Sequence, residues 1–476
     1  MKVLLLNPPR ANEITADNPT FIDDERGFNP PLGLLYLAAY LKEHTSHQVF
    51  GLDAQVEELQ YNEYFKNKIK NVAPDVVGIT VMTFTLPDVI KTVKIVKSAA
   101  QELNKNIKVI LGGPHAHLYP EETLNLDGVD FVIKGEGEIP FANLLDALED
   151  GSDLSDISGL VCNYNGRLIN NPISDLIENL DDLPIPDREL LPIEKYNSIL
   201  SGGHIVTTMF TSRGCPFQCA FCDRPHLGKK FRARGAMSVV DEMEKCLSLG
   251  IQEILIYDDT FTVDRQRVVD ICNEINKRDL NFTWDIRARV DTVDEEIVRK
   301  LKSAGCQRIH FGVEAGTERI LKVLNKGINL EQIECAFAIA NKVGLETLAY
   351  FMVGAPTETK EDILATIKFA KKINPDYAHI TILTPYPATK IYEQALNDNI
   401  IKKDYWREFA ENPENGVVTQ YWEKDLSREE LFKFLEKFYK DFYGRLSYML
   451  KQVLKIRSWH DFQKRIKAGL KILGMR

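Results

Sequence analysis

Three cysteines in one short segment are the residues of this chain whose spacing is best suited to chemistry. Cys215, Cys219 and Cys222 are separated first by three residues and then by two. Thiolates this close in sequence can hold a metal ion or an iron–sulfur cluster, and three ligands leave one coordination position open for a reactant. The segment therefore predicts a reactive metal centre rather than a purely structural one.

Two other uses of these cysteines stay open. They could form part of a structural zinc site in which His226 or another cysteine supplies the fourth ligand. A disulfide is disfavoured, because eight cysteines in 476 residues without a signal peptide are typical of a reduced, cytoplasmic protein. Five cysteines stand at no ligand spacing, and we expect them to be core thiols: Cys162, Cys246, Cys272, Cys306 and Cys335.

The cysteine segment directly follows the first of six predicted strands. The strands alternate with helical patterns and cover residues 204–211, 253–257, 282–287, 308–313, 346–353 and 378–383. Six such units indicate an incomplete version of the eight-stranded β/α barrel, whose active site lies at the carboxyl ends of the strands. We therefore expect the cysteines at the catalytic end of a partial (β/α)6 barrel.

An α/β pattern of a different kind precedes the barrel. Apolar runs that predict strands buried on both faces occur at residues 3–6, 49–52, 76–81, 109–111 and 131–133, with amphipathic segments between them. This alternation is typical of a doubly wound, Rossmann-like parallel sheet, which binds ligands at the carboxyl ends of its strands. A β-hairpin turning at Asn165-Gly166 and a proline-bearing linker then lead to the barrel.

The length of the chain predicts several domains, and its charge excludes one class of partner. We divide it into an N-terminal domain (1–151), a hairpin and linker (152–201), the barrel (202–399) and a helical C-terminal region (400–476). The net charge of −10 argues against general binding of nucleic acid. Residues 1–9 are too short an apolar run to span a membrane, so we expect a cytoplasmic protein.

The cysteine spacing, with the aromatic Phe221 before the last cysteine, resembles the cluster loop of the radical S-adenosylmethionine (SAM) enzymes. The resemblance implies that the three thiolates hold a [4Fe–4S] cluster whose fourth iron binds SAM. It also suggests residues for SAM at the strand ends: Asp258 or Asp259 for the methionyl amino group, Arg287 or Arg289 for its carboxylate, Glu314 for the ribose, and Gly354 and Pro385 for the adenine.

The N-terminal part resembles the cobalamin-binding domain found in one large branch of these enzymes. The similar segments are Asn-Pro-Pro at 7–9, Leu-Gly-Gly-Pro-His-Ala at 111–116 and Gly-Glu-Gly-Glu at 135–138. The family's Asp-x-His signature is absent at Asp53, which Ala54 and Gln55 follow. The resemblance implies that cobalamin would lie at the ends of the N-terminal strands, near Thr80, Gly112, Gly113, His115, Gly135 and Glu136.

This resemblance implies reductive cleavage of SAM to a 5′-deoxyadenosyl radical and cobalamin-dependent methylation of an unactivated carbon. Similar enzymes instead cyclise a porphyrin ester, and the residues do not separate these two reactions. A non-catalytic iron–sulfur or cobalamin sensor is the alternative from another class. The expected partners are a small, lipophilic substrate and a low-potential electron donor of the flavodoxin or ferredoxin type; no residue is singled out as catalytic.

The end of the chain is basic and rich in apolar residues. After Arg445 the charged residues are mostly Lys451, Lys455, Arg457, Lys464, Arg465, Lys467 and Lys471, interleaved with Trp459 and Phe462. A basic amphipathic helix can rest on an anionic membrane surface. A helix that packs one face on the barrel explains the same pattern, and both interpretations remain open.

Overall fold

Two β-sheets, each built from consecutive β/α units, organise the chain. The computed structural model describes residues 1–14, 27–174, 176–198, 204–223 and 229–454. The strands are β1 (Lys2–Asn7), β2 (Gly27–Phe28), β3 (Gln48–Asp53), β4 (Val76–Thr80), β5 (Lys108–Gly112), β6 (Phe131–Ile133), β7 (Leu160–Tyr164), β8 (Arg167–Asn170), β9 (Asn197–Ser198), β10 (Val206–Met209), β11 (Ser212–Arg213), β12 (Arg232–Ala233), β13 (Glu253–Ile256), β14 (Thr283–Ala288), β15 (Cys306–Glu314), β16 (Glu346–Val353) and β17 (Tyr377–Ile382).

The N-terminal sheet has the strand order β3-β1-β4-β5-β6-β7-β8. Its first five strands are parallel, and β7 and β8 extend it as antiparallel strands. The apolar run of β1 is buried on both faces, because Leu4 and Leu6 join one core cluster while Val3 and Leu5 join another. Its helices are α1 (Leu32–His44), α2 (Glu63–Val72), α3 (Leu86–Glu102), α4 (Pro114–Leu118), α5 (Pro120–Leu124) and α6 (Glu138–Asp150). The predicted doubly wound sheet is confirmed, and the predicted hairpin is its edge.

The second sheet has the order β10-β13-β14-β15-β16-β17, with every neighbouring pair parallel. Its helices are α7 (Ala236–Ser248), α8 (Arg265–Lys277), α9 (Glu295–Ser303), α10 (Glu318–Val323), α11 (Leu330–Val343) and α12 (Lys360–Ile373). Alternate strand residues pack outward on these helices; Phe311, for example, lies 5.2 Å from the ring of Phe337. The partial (β/α)6 barrel is confirmed, and the side chains between these outward residues face its interior.

Helices at the end of the chain pack on the last strand of the barrel and on the N-terminal domain. They are α13 (Lys390–Asn397), α14 (Tyr405–Glu411), α15 (Arg428–Tyr443) and α16 (Leu446–Leu454). Phe438 packs on Phe351, and the Tyr439 hydroxyl donates to the Ile380 carbonyl oxygen at 3.2 Å. The Lys451 ammonium group pairs with Asp376 at 2.8 Å, so this basic residue contacts the barrel. The other basic residues of the predicted amphipathic helix, from Lys455 onward, lie outside the described residues.

Within the described residues, no helix is both long and apolar enough to cross a membrane.

Candidate functional site

The start of the cysteine segment is fixed by one buried carboxylate. Asp258, just beyond β13, accepts the backbone N–H groups of Thr211 at 2.6 Å and Ser212 at 3.1 Å. Its other oxygen accepts the hydroxyl groups of the same two residues at 2.5 and 2.6 Å. Four charge-assisted hydrogen bonds on one buried group hold the backbone rigidly. Asp258 therefore positions the cysteine segment, whereas its neighbour Asp259 is exposed.

The far end of the segment is bonded to the loop after α10. The Ala220 N–H donates to the Leu324 carbonyl oxygen at 2.9 Å, and the Asn325 amide donates to the Gln218 carbonyl oxygen at 2.5 Å. The Ile391 N–H donates to the Ala220 carbonyl oxygen at 3.1 Å. The cysteines are thus held at the carboxyl ends of the barrel strands from both sides, as predicted.

The three thiols differ in exposure. Cys215 is buried, with its Sγ 4.0 Å from the Thr260 hydroxyl; Cys219 is half-buried; Cys222 is exposed. The Cys222 N–H donates to the Cys219 carbonyl oxygen at 3.3 Å. In the described part of the chain, no three His, Cys, Asp or Glu side chains converge as a preformed metal site. His226, the alternative zinc ligand, falls outside the described residues.

One arginine links the thiols to β14. Arg289 donates through Nη1 to the Cys219 sulfur at 3.9 Å, and its guanidinium carbon lies 3.8 Å from the centroid of the Phe217 ring. Asp291 accepts from its Nε at 3.0 Å and its Nη2 at 2.9 Å, which fixes the orientation of the group. Of the two arginines predicted for the SAM carboxylate, Arg289 is the one at the cysteines, because Arg287 lies instead against Tyr257.

Glu314 ends β15 in the left-handed region, with φ +69°. Its carboxylate is buried and accepts from the Lys326 ammonium group at 2.6 Å. Lys326 in turn lies 5.7 Å from the ring centroid of Phe221, inside the cysteine segment. A side chain at Gly312 would place its Cβ 2.4 Å from the Glu314 carboxylate, so it would displace the Glu314–Lys326 pair. Glu314 is therefore connected to the cysteine segment through Lys326.

The two remaining barrel residues lie at the ends of β16 and β17. Gly354, at φ +86°, donates its N–H to Glu358 at 2.6 Å, and Ala355 donates to the same oxygen at 3.0 Å. Burial raises the pKa of Glu358 to about 7. The Pro385 carbonyl oxygen accepts from the Trp406 indole at 3.2 Å. These contacts fix the rim of the barrel on the side away from Arg289.

At the N-terminal sheet, three of the predicted residues lie at the ends of adjacent strands, and a fourth is a buried histidine. Thr80 and Gly112 end adjacent strands, and Gly113 needs its glycine because at φ +117° a Cβ would lie 2.8 Å from the Val81 carbonyl oxygen. His115 Nδ1 lies 3.1 Å from the Thr83 hydroxyl. Burial lowers the pKa of His115 to about 3, so the ring is neutral.

Comparison with known proteins identifies the family. Residues 209–370 match the Radical SAM superfamily model, and residues 23–145 match that of the B12 binding domain. An uncharacterized methyltransferase of Pyrococcus horikoshii is 38% identical over 458 residues, covering 96% of this chain and 95% of the relative. The anaerobic magnesium-protoporphyrin IX monomethyl ester cyclase of Rubrivivax gelatinosus is 31% identical, over 79% of this chain and 68% of that protein.

This chain belongs to the radical SAM enzymes that carry a B12-binding domain.

Solved structures share the fold of this radical SAM enzyme. The radical enzyme OxsB, with aqua-cobalamin and SAM bound, superposes with a TM-score of 0.70 at 19% identity, over 97% of this chain and 70% of that one. The methyltransferase TsrM of Kitasatospora setae gives 0.67 at 20% identity, over 83% and 76%. Since the family consists of enzymes, a non-catalytic sensor is no longer a suitable interpretation.

Two observations test whether this radical SAM enzyme suits the cofactors that its family implies. At the barrel, three thiols are held on one anchored loop at the strand ends, which is the donor set that an iron–sulfur cluster needs. At the N-terminal sheet, His115 Nε2 is buried and makes no hydrogen bond to any described residue. A buried nitrogen without a partner is costly, so a bound group that engages it would stabilise the site. Both sites therefore suit their cofactors.

A cluster of buried ion pairs joins the two cofactor domains. Arg213, two residues before Cys215, donates to Glu136 at 2.8 Å and to Glu138 at 2.6 Å. Arg232 donates to the two oxygens of Glu136 at 2.9 and 3.0 Å. We call these four residues the domain clamp. Sequence reasoning missed both arginines, although Arg213 stands inside the recognised cysteine segment.

Asp53 is buried and hydrogen-bonded within the protein. Asp53 accepts from the Asn7 amide and from the Tyr196 hydroxyl, both at 2.8 Å, so it binds the protein itself where the family signature would continue to a histidine.

Cys335 is exposed on α11, so the prediction of a core thiol is wrong there, while Cys162, Cys246, Cys272 and Cys306 are buried as predicted.

Proposed function

We propose that this enzyme methylates an unactivated carbon of a small molecule, using a [4Fe–4S] cluster, SAM and cobalamin. The observation that carries the proposal is the domain clamp, which ties the Gly-Glu-Gly-Glu loop of the B12-binding domain directly to the cysteine segment through Arg213. Two cofactor domains held rigidly face to face suit a reaction that uses both. The relative that matches almost the whole chain is named a methyltransferase, which favours this reaction over cyclisation.

When bound, the cluster and SAM would supply a radical by one-electron cleavage of a sulfonium, and cobalamin would supply a transferable methyl group. In this proposal Cys215, Cys219 and Cys222 bind the cluster. Arg289, oriented by Asp291 and adjacent to Cys219, would bind the methionyl carboxylate through its remaining N–H groups. In the proposal, these contacts would hold the sulfonium next to the thiols.

Other predicted residues take supporting roles in the proposal. The exposed Asp259 would accept the methionyl amino group, since Asp258 already accepts four hydrogen bonds from the cysteine segment. Glu314 would meet the ribose, with Lys326 holding its carboxylate in place. Gly354 and Pro385 would border the adenine. His115 would present its neutral Nε2 to cobalamin, alongside Thr80, Gly112, Gly113 and Gly135.

Glu136 receives a different role from the one that the resemblance implies. Both of its carboxylate oxygens accept from guanidinium groups, and one also accepts the Ile177 N–H at 2.7 Å. It would therefore position the B12-binding domain against the cysteines rather than bind cobalamin directly. A flavodoxin- or ferredoxin-type electron donor, a lipophilic substrate and membrane contact through the basic C-terminal residues stay part of the proposal.

The decisive experiment follows both halves of SAM. The anaerobically reconstituted enzyme is reduced with dithionite and given methyl-labelled SAM and an extract of source cells; 5′-deoxyadenosine and labelled products are measured by mass spectrometry. Cys219→Ala should abolish 5′-deoxyadenosine formation, whereas Cys335→Ala, which replaces an exposed cysteine on α11, should not.

Three results would contradict parts of the proposal. An electron paramagnetic resonance signal unchanged by SAM, together with no 5′-deoxyadenosine, would refute the radical reaction. 5′-Deoxyadenosine with no labelled product would refute methylation and favour the cyclase reaction of the Rubrivivax relative. Protein purified from cobalamin-fed cells that shows no corrin absorption band after gel filtration would refute the cobalamin site.

A further inference from the structure

The interior of the barrel carries a row of half-buried polar and aromatic side chains below the strand ends. Arg287 and His310 are register partners on β14 and β15, and Tyr350 and His379 are partners on β16 and β17. Tyr257 follows β13 beside them. The alternate residues of these strands are fully buried against the outer helices. These five side chains keep partial exposure, whereas Asp285 and Arg308, two residues earlier on the same faces of β14 and β15, are buried.

Arg287 is the cation of this row. Its guanidinium carbon lies 4.1 Å from the centroid of the Tyr257 ring. The nearby arginines of the barrel are paired: Arg308 with Asp285 at 2.6 Å and Arg289 with Asp291 at 2.9 Å. Arg287, in contrast, forms no ion pair or hydrogen bond with any residue that the structure describes. A half-buried guanidinium held on an aromatic ring is a ready site for an external anion.

The groups around Arg287 add shape and hydrogen bonds but no positive charge. His310 Nδ1 lies 3.1 Å from the Tyr350 hydroxyl, and its Nε2 lies 3.4 Å from Asp285. His379 Nδ1 lies 3.1 Å from the Tyr439 hydroxyl. Burial lowers the pKa of both histidines, so they are neutral near pH 7. Among the five side chains of this row, Arg287 is thus the one that carries a positive charge.

The row of side chains also reaches the boundary between the domains. The amide of Asn29, which precedes α1 of the B12-binding domain, donates to the Tyr257 hydroxyl at 3.1 Å. Arg287 stands two residues before Arg289, so it lies about 7 Å further into the barrel than the arginine next to the cysteines. A molecule bound at Arg287 would therefore lie deeper in the barrel than SAM held by Arg289, and beside Tyr257 at the domain boundary, where the proposed function needs the methyl acceptor.

We infer that Arg287 binds an oxyanion of the substrate, a carboxylate or a phosphate, and that the Tyr257 and Tyr350 rings contact the carbon skeleton beside it. The inference rests on the proposed function in one respect: it takes the bound acid to be the methyl acceptor. The acceptor would then be an acidic small molecule, and the predicted lipophilic character would be confined to the part next to the anion.

The inference is tested with benzoate and its neutral isostere benzamide, two probes that pair an aromatic ring with or without an oxyanion. Binding to the reconstituted, SAM-saturated enzyme is measured by saturation-transfer NMR. We expect benzoate to bind about tenfold more tightly than benzamide, because only the carboxylate can form a charge-assisted hydrogen-bonded pair with Arg287. Arg287→Gln should remove this preference, Arg287→Lys should keep part of it, and Arg299→Gln on the exposed face of α9 should leave it unchanged.

Saturation with SAM separates the inference from the alternative that Arg287 binds the methionyl carboxylate. Equilibrium dialysis of SAM against Arg287→Gln should give an affinity within about twofold of wild type, since no contact to SAM is lost. Equal binding of benzoate and benzamide to wild type, or a large loss of SAM affinity in Arg287→Gln, would overturn the inference. A benzoate preference that persists in an enzyme unable to transfer methyl groups would support the anion site while refuting the proposed reaction.

Discussion

The domain clamp predicts how strongly the two domains are coupled. Replacing Glu136 by Gln keeps the size of the side chain but removes the charge that two buried guanidinium groups share. In the native protein, Glu136 accepts four hydrogen bonds, from Arg213, twice from Arg232, and from the Ile177 N–H, at 2.7 to 3.0 Å. The variant amide places an N–H group against at least one of these donors, so both charge and hydrogen bonding are lost.

The expected loss of stability depends on the interactions that the two arginines keep in the variant. Removing one partner of a buried ion pair typically costs 3–5 kcal/mol, because the other charge stays buried without compensation. Here Glu138 still pairs with Arg213, and Arg232 still donates to the Ile177 carbonyl oxygen. We therefore expect a loss of about 3 kcal/mol in the free energy of unfolding, at the lower end of that range.

The stabilisation that the Glu136 carboxylate provides depends on pH. Burial would raise the pKa of Glu136, but the guanidinium groups of Arg232 and Arg213 outweigh burial and lower it below its usual value. A carboxylate with a lowered pKa stabilises the fold fully above its unfolded pKa of about 4.3, and this contribution is lost as the pH falls through the lowered folded value. Acid unfolding of the wild type below about pH 4 should therefore include this loss, and Glu136→Gln should lack it.

The assay is urea unfolding at pH 7, followed by tryptophan fluorescence. The control is Glu178→Gln, which breaks an ion pair to Lys230 in which both side chains are more than 60% exposed. Exposed pairs contribute little, so this control should leave the unfolding midpoint unchanged. If Glu136→Gln behaves like Glu178→Gln, the clamp does not couple the domains, and the assignment of Glu136 as a positioning residue is wrong.

Three further predictions concern single side chains. Asp258→Asn loses charge-assisted hydrogen bonds to the cysteine segment, so iron and sulfide per chain after anaerobic reconstitution should fall, whereas the exposed Asp270→Asn should match wild type. Since Glu358 has its pKa raised from 4.5 to about 7, stability should fall by about 3 kcal/mol as the pH rises between those values, and urea unfolding of Glu358→Gln should show no such slope. His115→Phe keeps the ring but removes Nε2, so the corrin absorption retained on gel filtration should drop, while the exposed His44→Gln should retain it.

The strands and the position of the cysteine segment could be predicted well from the local sequence. The run at residues 346–353 predicted β16 to the residue, and 76–81 exceeded β4 by one, because buried parallel strands are continuous β-branched and apolar runs. The three cysteines were placed correctly after the first barrel strand, because strand order fixes which loops meet at the carboxyl ends. The hairpin was also predicted, but its docking on the N-terminal sheet was not, because edge pairing depends on tertiary contacts.

Interactions between distant residues could not be predicted in this way. Glu136 pairs with Arg213, which lies 77 residues further along the chain, and nothing in Gly-Glu-Gly-Glu names that partner. The motif around Asp258 suggested a SAM contact, whereas its four hydrogen bonds go to the backbone and hydroxyls of Thr211 and Ser212. Motifs identify a functional residue type, but only the packed structure decides which of several donors form hydrogen bonds to a carboxylate.

The domain clamp and Arg287 both lie on the side of the barrel that contacts the B12-binding domain. Arg213 is two residues from Cys215, and two extended residues span at most about 7 Å, so a displacement of the B12-binding domain at Glu136 must be transmitted to the first thiol. Tyr257, which follows the neighbouring strand β13, is hydrogen-bonded to Asn29 of the same domain. These two contacts thus hold the domain against the neighbouring strands β10 and β13 of the barrel. An acid bound at Arg287, on the next strand β14, would lie beside Tyr257 and therefore on the side of the barrel that contacts the B12-binding domain.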